Sequence, residues 1–137
     1  MLTVRPAAVA GAFYPGDPAT LARDVATLLQ DARSRVEAPR MLPKALIVPH
    51  AGYVYSGSVA ASAYALLEPG REVYRRVVLL GPVHRVPVRG LALPGADAFA
   101  TPLGIVPLDR ELADKIAALP QVTEFAQAHA WEHSLEV

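Results

Sequence analysis

Two apolar runs set the pattern of the chain. Residues 45–48 read Ala-Leu-Ile-Val and stop at Pro49-His50; residues 77–80 read Val-Val-Leu-Leu and stop at Gly81-Pro82-Val83-His84. Both runs are continuous rather than alternating, which predicts strands covered on both faces. Between them, Val59, Ala63, Leu66 and Leu67 recur at helical spacing within residues 56–67, a segment rich in Ala and Ser that ends at Pro69-Gly70. Strand, helix and strand in that order, with the second strand over 74–80, predict a βαβ unit with parallel strands and a right-handed crossover.

The flanking segments extend this layout. Residues 1–16 show no period and predict an ordered, irregular arm. Leu21, Val25, Leu28 and Leu29 then mark one face of a helix from about 18 to 36. Asp17 is placed to cap it, Pro18 suits its first position, and Arg33 and Arg35 suit its last turn. This helix is expected to cover a sheet face. Residues 91–93 and 103–107 predict edge strands, or a hairpin, on the same sheet. Asp109 is expected to cap a helix over 110–119 with Leu112 and Ile116 inward, and 121–125 a short strand. Asp97 with Thr101-Pro102 reads as an Asx-type turn. The terminal AHAWEHSLEV reads as the start of a further element. The fold class is α/β, a mainly parallel sheet flanked by helices.

Composition narrows the function classes. The chain has 137 residues, 53% of them apolar, which suffices for one domain with a core. Thirteen basic and 13 acidic residues balance to zero, giving no electrostatic case for nucleic acid or an anionic membrane. No apolar run approaches the roughly 18 residues of a membrane span, and the N-terminus lacks signal-peptide order; a cytoplasmic location is expected. With no cysteine, disulfides and thiolate ligands are excluded within the chain. The 13 prolines fall largely at predicted strand ends and loops.

Candidate chemistry lies at the strand ends. In a parallel α/β sheet, ligands bind at the carboxyl edge. Adjacent strands lie about 5 Å apart, so His50 and His84 could meet at one metal ion; the alternative is two inert, hydrogen-bonded loop histidines. Tyr53 and Tyr55 flank the first turn, either as hydrogen-bond donors to substrate or as wedges that hold it. Near the terminus, Glu132 and His133 are candidates of which a helix would present only one to a given site, and His129 is expected at the surface. No GxSxG elbow, P-loop or HExxH motif is present.

Several stretches together resemble one family. Arg5-Pro6, VAGAFYP ending at Pro15, Pro49-His-Ala-Gly-Tyr53 with Ser56-Gly57, Leu80-Gly-Pro-Val-His84, Thr101-Pro102-Leu103-Gly104 and Glu132-His-Ser-Leu-Glu136 occur in the order and approximate spacing of the Memo family, in its bacterial and archaeal branch termed AmmeMemoRadiSam system protein B. The family is similar in fold to the catalytic subunit of class III extradiol dioxygenases. The resemblance implies a single, incomplete domain over 1–137, corresponding to the N-terminal half. It implies that His50 and His84 are metal ligands, for iron or copper, and that His133 lines the same pocket as the candidate catalytic residue. Longer members supply a further histidine and a cysteine that this chain lacks. The function implied is a metal-dependent, dioxygenase-like oxidoreductase; the alternative is a non-catalytic module that recognises a peptide or partner protein. A radical-SAM protein is the partner implied, and self-association of an open half-sheet is expected.

Overall fold

A computed structural model describes residues 2–137. The chain is α/β and divides into two compact units, one formed by the first part of the N-terminal arm, up to Ala10, with Gly81–Glu136, the other by Gly11–Leu80 with Val137.

The first unit holds the strands. The arm contributes β1 (Val4–Arg5), and the later segment contributes β2 (Leu91–Leu93), β3 (Ala98–Thr101), β4 (Gly104–Pro107), α3 (Arg110–Ala117), β5 (Val122–Glu124) and α4 (Gln127–Ala130). β3 is central in a three-stranded sheet, parallel to β1 and antiparallel to β4. β2 and β5 form a separate parallel pair, with Leu91 opposite Val122. The hairpin is therefore β3–β4, whereas 91–93 was expected to belong with 103–107. Its turn explains why: Gly104 has φ +134°, which an L side chain rarely adopts, and Thr101 Oγ1 accepts from Leu103 N–H and donates to the Gly104 carbonyl. Asp97 makes no Asx turn of the expected kind. It accepts from Thr3 N–H at 2.7 Å, pairs with Arg110, and its carbonyl accepts from Leu108 N–H, so it joins the arm to both ends of the hairpin. α3 begins where expected, with Asp109 Oδ1 accepting from Leu112 N–H at 3.0 Å, and Leu112 and Ile116 are half-buried.

The second unit has no β-strand among its described residues. It is built on α1 (Pro18–Arg33) and α2 (Tyr53–Tyr64), the latter continued by a 3-10 turn (Ala65–Gly70). Asp17 caps α1 as expected, accepting from Thr20 N–H at 2.8 Å. The face of α1 that was expected to cover a sheet instead meets α2: Ala32, Ala61 and Ala65 are buried together, with Leu28, Leu29 and Val36 packed against them. Small residues at the crossing let the two backbones approach. Arg33 pairs with Glu68 across the end of the helix pair.

The two expected central strands do not form. Residues 45–50 and 74–80 enter no ladder among the described residues. Ile47 is 100% exposed, and Val77 to Leu80 are 60–74% exposed. A continuous apolar run satisfies its backbone polar groups in a sheet only when strands lie beside it, and among the described residues none does. The coil before α2 and the coil after it are joined by the Tyr74 hydroxyl, which donates to the Pro43 carbonyl at 2.7 Å. The parallel pairing appears in short strands, β1–β3 and β2–β5, rather than in a βαβ core.

Candidate metal centre

The segment after α4 carries the polar core of the first unit. The helix stops at Ala130, so residues 131–136 turn rather than wind. On a helix Glu132 and His133 would point apart. On this turn both serve one place. Glu132 is 5% exposed. Its Oε1 accepts from His133 N–H at 2.8 Å and Ser134 N–H at 2.9 Å, and lies 2.8 Å from His84 Nδ1. Its Oε2 accepts from His84 N–H at 2.5 Å. His133 Nδ1 is 3.3 Å from the same Oε1. Burial alone would raise the Glu132 carboxyl, but the His84 ring and the N–H groups of Ser134, His84 and His133 outweigh it and bring the pKa down to about 2. The group is therefore an anion at neutral pH.

That carboxylate organises two imidazoles. The His84 and His133 rings stack with centroids 4.6 Å apart and 25° between planes, and a ring nitrogen of each lies within 4.8 Å of one from the other. The Gly81-Pro82-Val83-His84 turn reaches this place because Gly81 has no side chain. A Cβ there would fall 2.6 Å from Ser134 Oγ and 3.0 Å from Ser134 Cβ. Ser134 Oγ in turn donates to the Pro82 carbonyl at 2.8 Å.

Beneath this pair the N-terminal arm is locked in place by a buried ion pair. Arg5 pairs with Glu136 and donates to the carbonyls of His129, at 2.9 Å from Nε, and Glu132. Its guanidinium lies 5.1 Å from the Phe99 ring centroid. Glu136 also accepts from Ala8 N–H at 2.7 Å and Val9 N–H at 2.9 Å. His129, expected at the surface, is buried. Its Nε2 lies 2.9 Å from the Ala92 carbonyl and its ring meets Phe99 edge-on. The short helix leaves Gln127 and Ala130 exposed and turns Ala128 and His129 inward.

The remaining candidates lie in the second unit. His50 is half-buried, just before α2. Tyr53 opens that helix; its N–H donates to the Phe13 carbonyl at 2.8 Å and its ring packs at 5.8 Å from Tyr14. It also lines an apolar cavity of about 330 Å³ between α1 and α2, and burial, then Tyr64, push its hydroxyl pKa up. Tyr55 is 85% exposed. Sequence reasoning missed Arg5, Glu132 and Glu136 as partners. Their signal was two acidic residues four apart in a terminal segment with no other acidic or basic residue but histidine, and a lone arginine in an otherwise uncharged arm.

Stacked imidazoles sharing one buried carboxylate are a metal-type donor set: neutral imidazole accepts iron, copper or zinc, and a carboxylate on Nδ1 orients the ring. The class so defined is an α/β protein with a pair of histidines set on a buried carboxylate. A family profile described as Memo-like protein matches residues 5–137. The chain is 41% identical over 137 residues to a MEMO1 family protein of Aquifex aeolicus, covering 99% of this chain and 48% of that one. It is 40% identical over 144 residues to a MEMO1 family protein of Ignicoccus hospitalis, covering 99% and 50%. It is 34% identical over 134 residues to Protein MEMO1 of Mus musculus, covering 97% and 43%. The chain belongs to the Memo family, and it spans about half the length of the curated relatives it matches. No helix among the described residues is long and apolar enough to cross a membrane.

Proposed function

We propose that this chain contributes imidazoles to a non-haem metal pocket of a Memo-family protein. The observation that carries the reading is the stacked His84–His133 pair over the buried Glu132 carboxylate. His50 joins the ligand set on the strength of the family resemblance of its PHAGY motif, and His133 is the candidate catalytic group. Tyr53 and Tyr55 are the candidates for substrate contact. The donor set fits iron or copper, since both accept imidazole. A bound ion of either kind would supply redox chemistry, and a dioxygenase-like reaction is the one that similarity to the class III extradiol fold favours. The chain's own residues do the positioning: Glu132 holds His84, Ser134 holds the Pro82 carbonyl, and Arg5 holds the turn that carries both His133 and Glu132. The expected setting is cytoplasmic.

Equilibrium dialysis of the chain against Fe²⁺ without oxygen, and against Cu²⁺, tests this. The wild type should retain metal, and His84→Ala with His133→Ala, or His50→Ala with His84→Ala, should lose it. Equal retention by all three proteins would sink the proposal. A second reading, a module that recognises a partner protein such as a radical-SAM enzyme, is favoured by the exposed apolar residues Ile47 and Val77 to Leu80. Those residues equally suit self-association. Partner capture that survives the double histidine replacement and fails when Val78 and Leu80 are made Ser would support the second reading over the first.

A further inference from the structure

We infer that Glu132 is a positioning residue that fixes the tautomer of His84, holding the proton on Nδ1 so that Nε2 is the lone-pair nitrogen. Backbone N–H groups of His84, His133 and Ser134 point at the two Glu132 oxygens, so the carboxylate acts here as an acceptor. A proton shared between Glu132 Oε1 and His84 Nδ1, 2.8 Å apart, therefore belongs to the ring. A neutral imidazole has one N–H, so that arrangement puts the lone pair on Nε2. The carboxylate cannot easily turn away. Three backbone N–H groups, from His84, His133 and Ser134, hold its two oxygens at 2.5–2.9 Å, and the side chain is buried.

The donors come from both sides of the site. His84 supplies its ring and its own N–H from the Gly81-Pro82-Val83-His84 turn; His133 and Ser134 supply theirs from the terminal turn. Glu132 is thus the fastener between the two segments as well as the acceptor for the ring. His133 Nδ1, at 3.3 Å from the same oxygen, is oriented the same way but less tightly. The tautomer stands on the geometry alone; its consequence for metal rests on the reading under Proposed function.

Long-range ¹H–¹⁵N correlation spectra of the metal-free 137-residue chain report the tautomer of His84 directly. The expected result is a protonated Nδ1 in the wild type and a shift toward the Nε2–H form in Glu132→Gln, whose amide keeps the shape but loses the charge. Zinc, a redox-silent probe that imidazole binds, should bind Glu132→Gln roughly 10- to 100-fold more weakly than wild type. A His84 with Nε2–H in the wild type overturns the inference, as does a Glu132→Gln protein with unchanged tautomer and unchanged zinc affinity. If Glu132→Gln does not fold, the wild-type tautomer alone decides the matter. A wild type that binds no zinc yet shows Nδ1–H, lost in the variant, supports the positioning role while removing the metal reading.

Discussion

Each unit is held together internally, and by opposite means. In the first, the most enclosed side chains include Arg5, His129, Glu132 and Glu136, joined in one network of charge-assisted hydrogen bonds around β1 and the terminal turn. In the second, alanines and leucines of α1 and α2 pack face to face, and the ionic contact that accompanies them, Arg33 with Glu68, is exposed. The polar unit carries the histidine pair; the apolar unit carries the runs that remain exposed. A buried ionic network is directional and fixes a few groups in one arrangement. Apolar packing is tolerant of geometry and fixes helices rather than atoms. The stacked histidine pair lies with the directional half, and His50, Tyr53 and Tyr55 with the other.

The sharpest test of this contrast removes one member of the network. Arg5→Ala should destabilise the chain by about 3–5 kcal/mol, since it leaves the Glu136 carboxylate buried without its cation. A urea-unfolding series would show the midpoint moving with little change in slope. A loss under about 1 kcal/mol would mean that the pair behaves as a surface ion pair, and the contrast between the units would fail.

The corresponding test of the apolar unit is milder. Ala32 has 0% exposure between the helices, so Ala32→Leu should overpack the crossing and cost about 1–3 kcal/mol. The His84 and His133 resonances should move little, and those of α1 and α2 much more. Large shifts at the histidines with none in the helices would reverse the assignment of rigidity to the two units.

What the sequence revealed follows the same division. Asp17 and Asp109 announce α1 and α3 through local chemistry: a carboxylate, a first turn, and apolar spacing behind it. Those signals depend on a few neighbouring residues, and the helices form where expected. The runs at 45–48 and 77–80 announced strands through composition, but a strand is defined by its neighbours, and none pairs with them here. Glu132 was legible as a candidate beside His133, of which a helix would present only one to a given site. Its role depends on a turn replacing a helix at residue 131 and on His84, which is 48 positions away. Arg5 and Glu136 are 131 positions apart, so no local pattern could join them. The family resemblance supplied the motif without the reason for it.

The smallest effect expected is at the α1 cap, where the second unit uses a charge as a local stop rather than as a buried link. The backbone and side-chain hydrogen bonds from Thr20 hold the Asp17 carboxyl below its usual range, despite slight opposition from desolvation. Its folded-state pKa is thus lower than in the unfolded chain, where the ordinary value is 3.8. The stabilisation is present in full above that value and fades as pH falls through the folded pKa. Asp17→Asn keeps the acceptor and removes the titration. Compared by thermal unfolding, wild type and Asp17→Asn should show a gap that narrows as pH drops from 5 towards 3 (roughly the span of carboxylate titration), while Asp17→Ala should lie below both at neutral pH. A gap independent of pH would mean that the cap acts through shape alone, and that charge directs structure only in the unit holding His84 and His133.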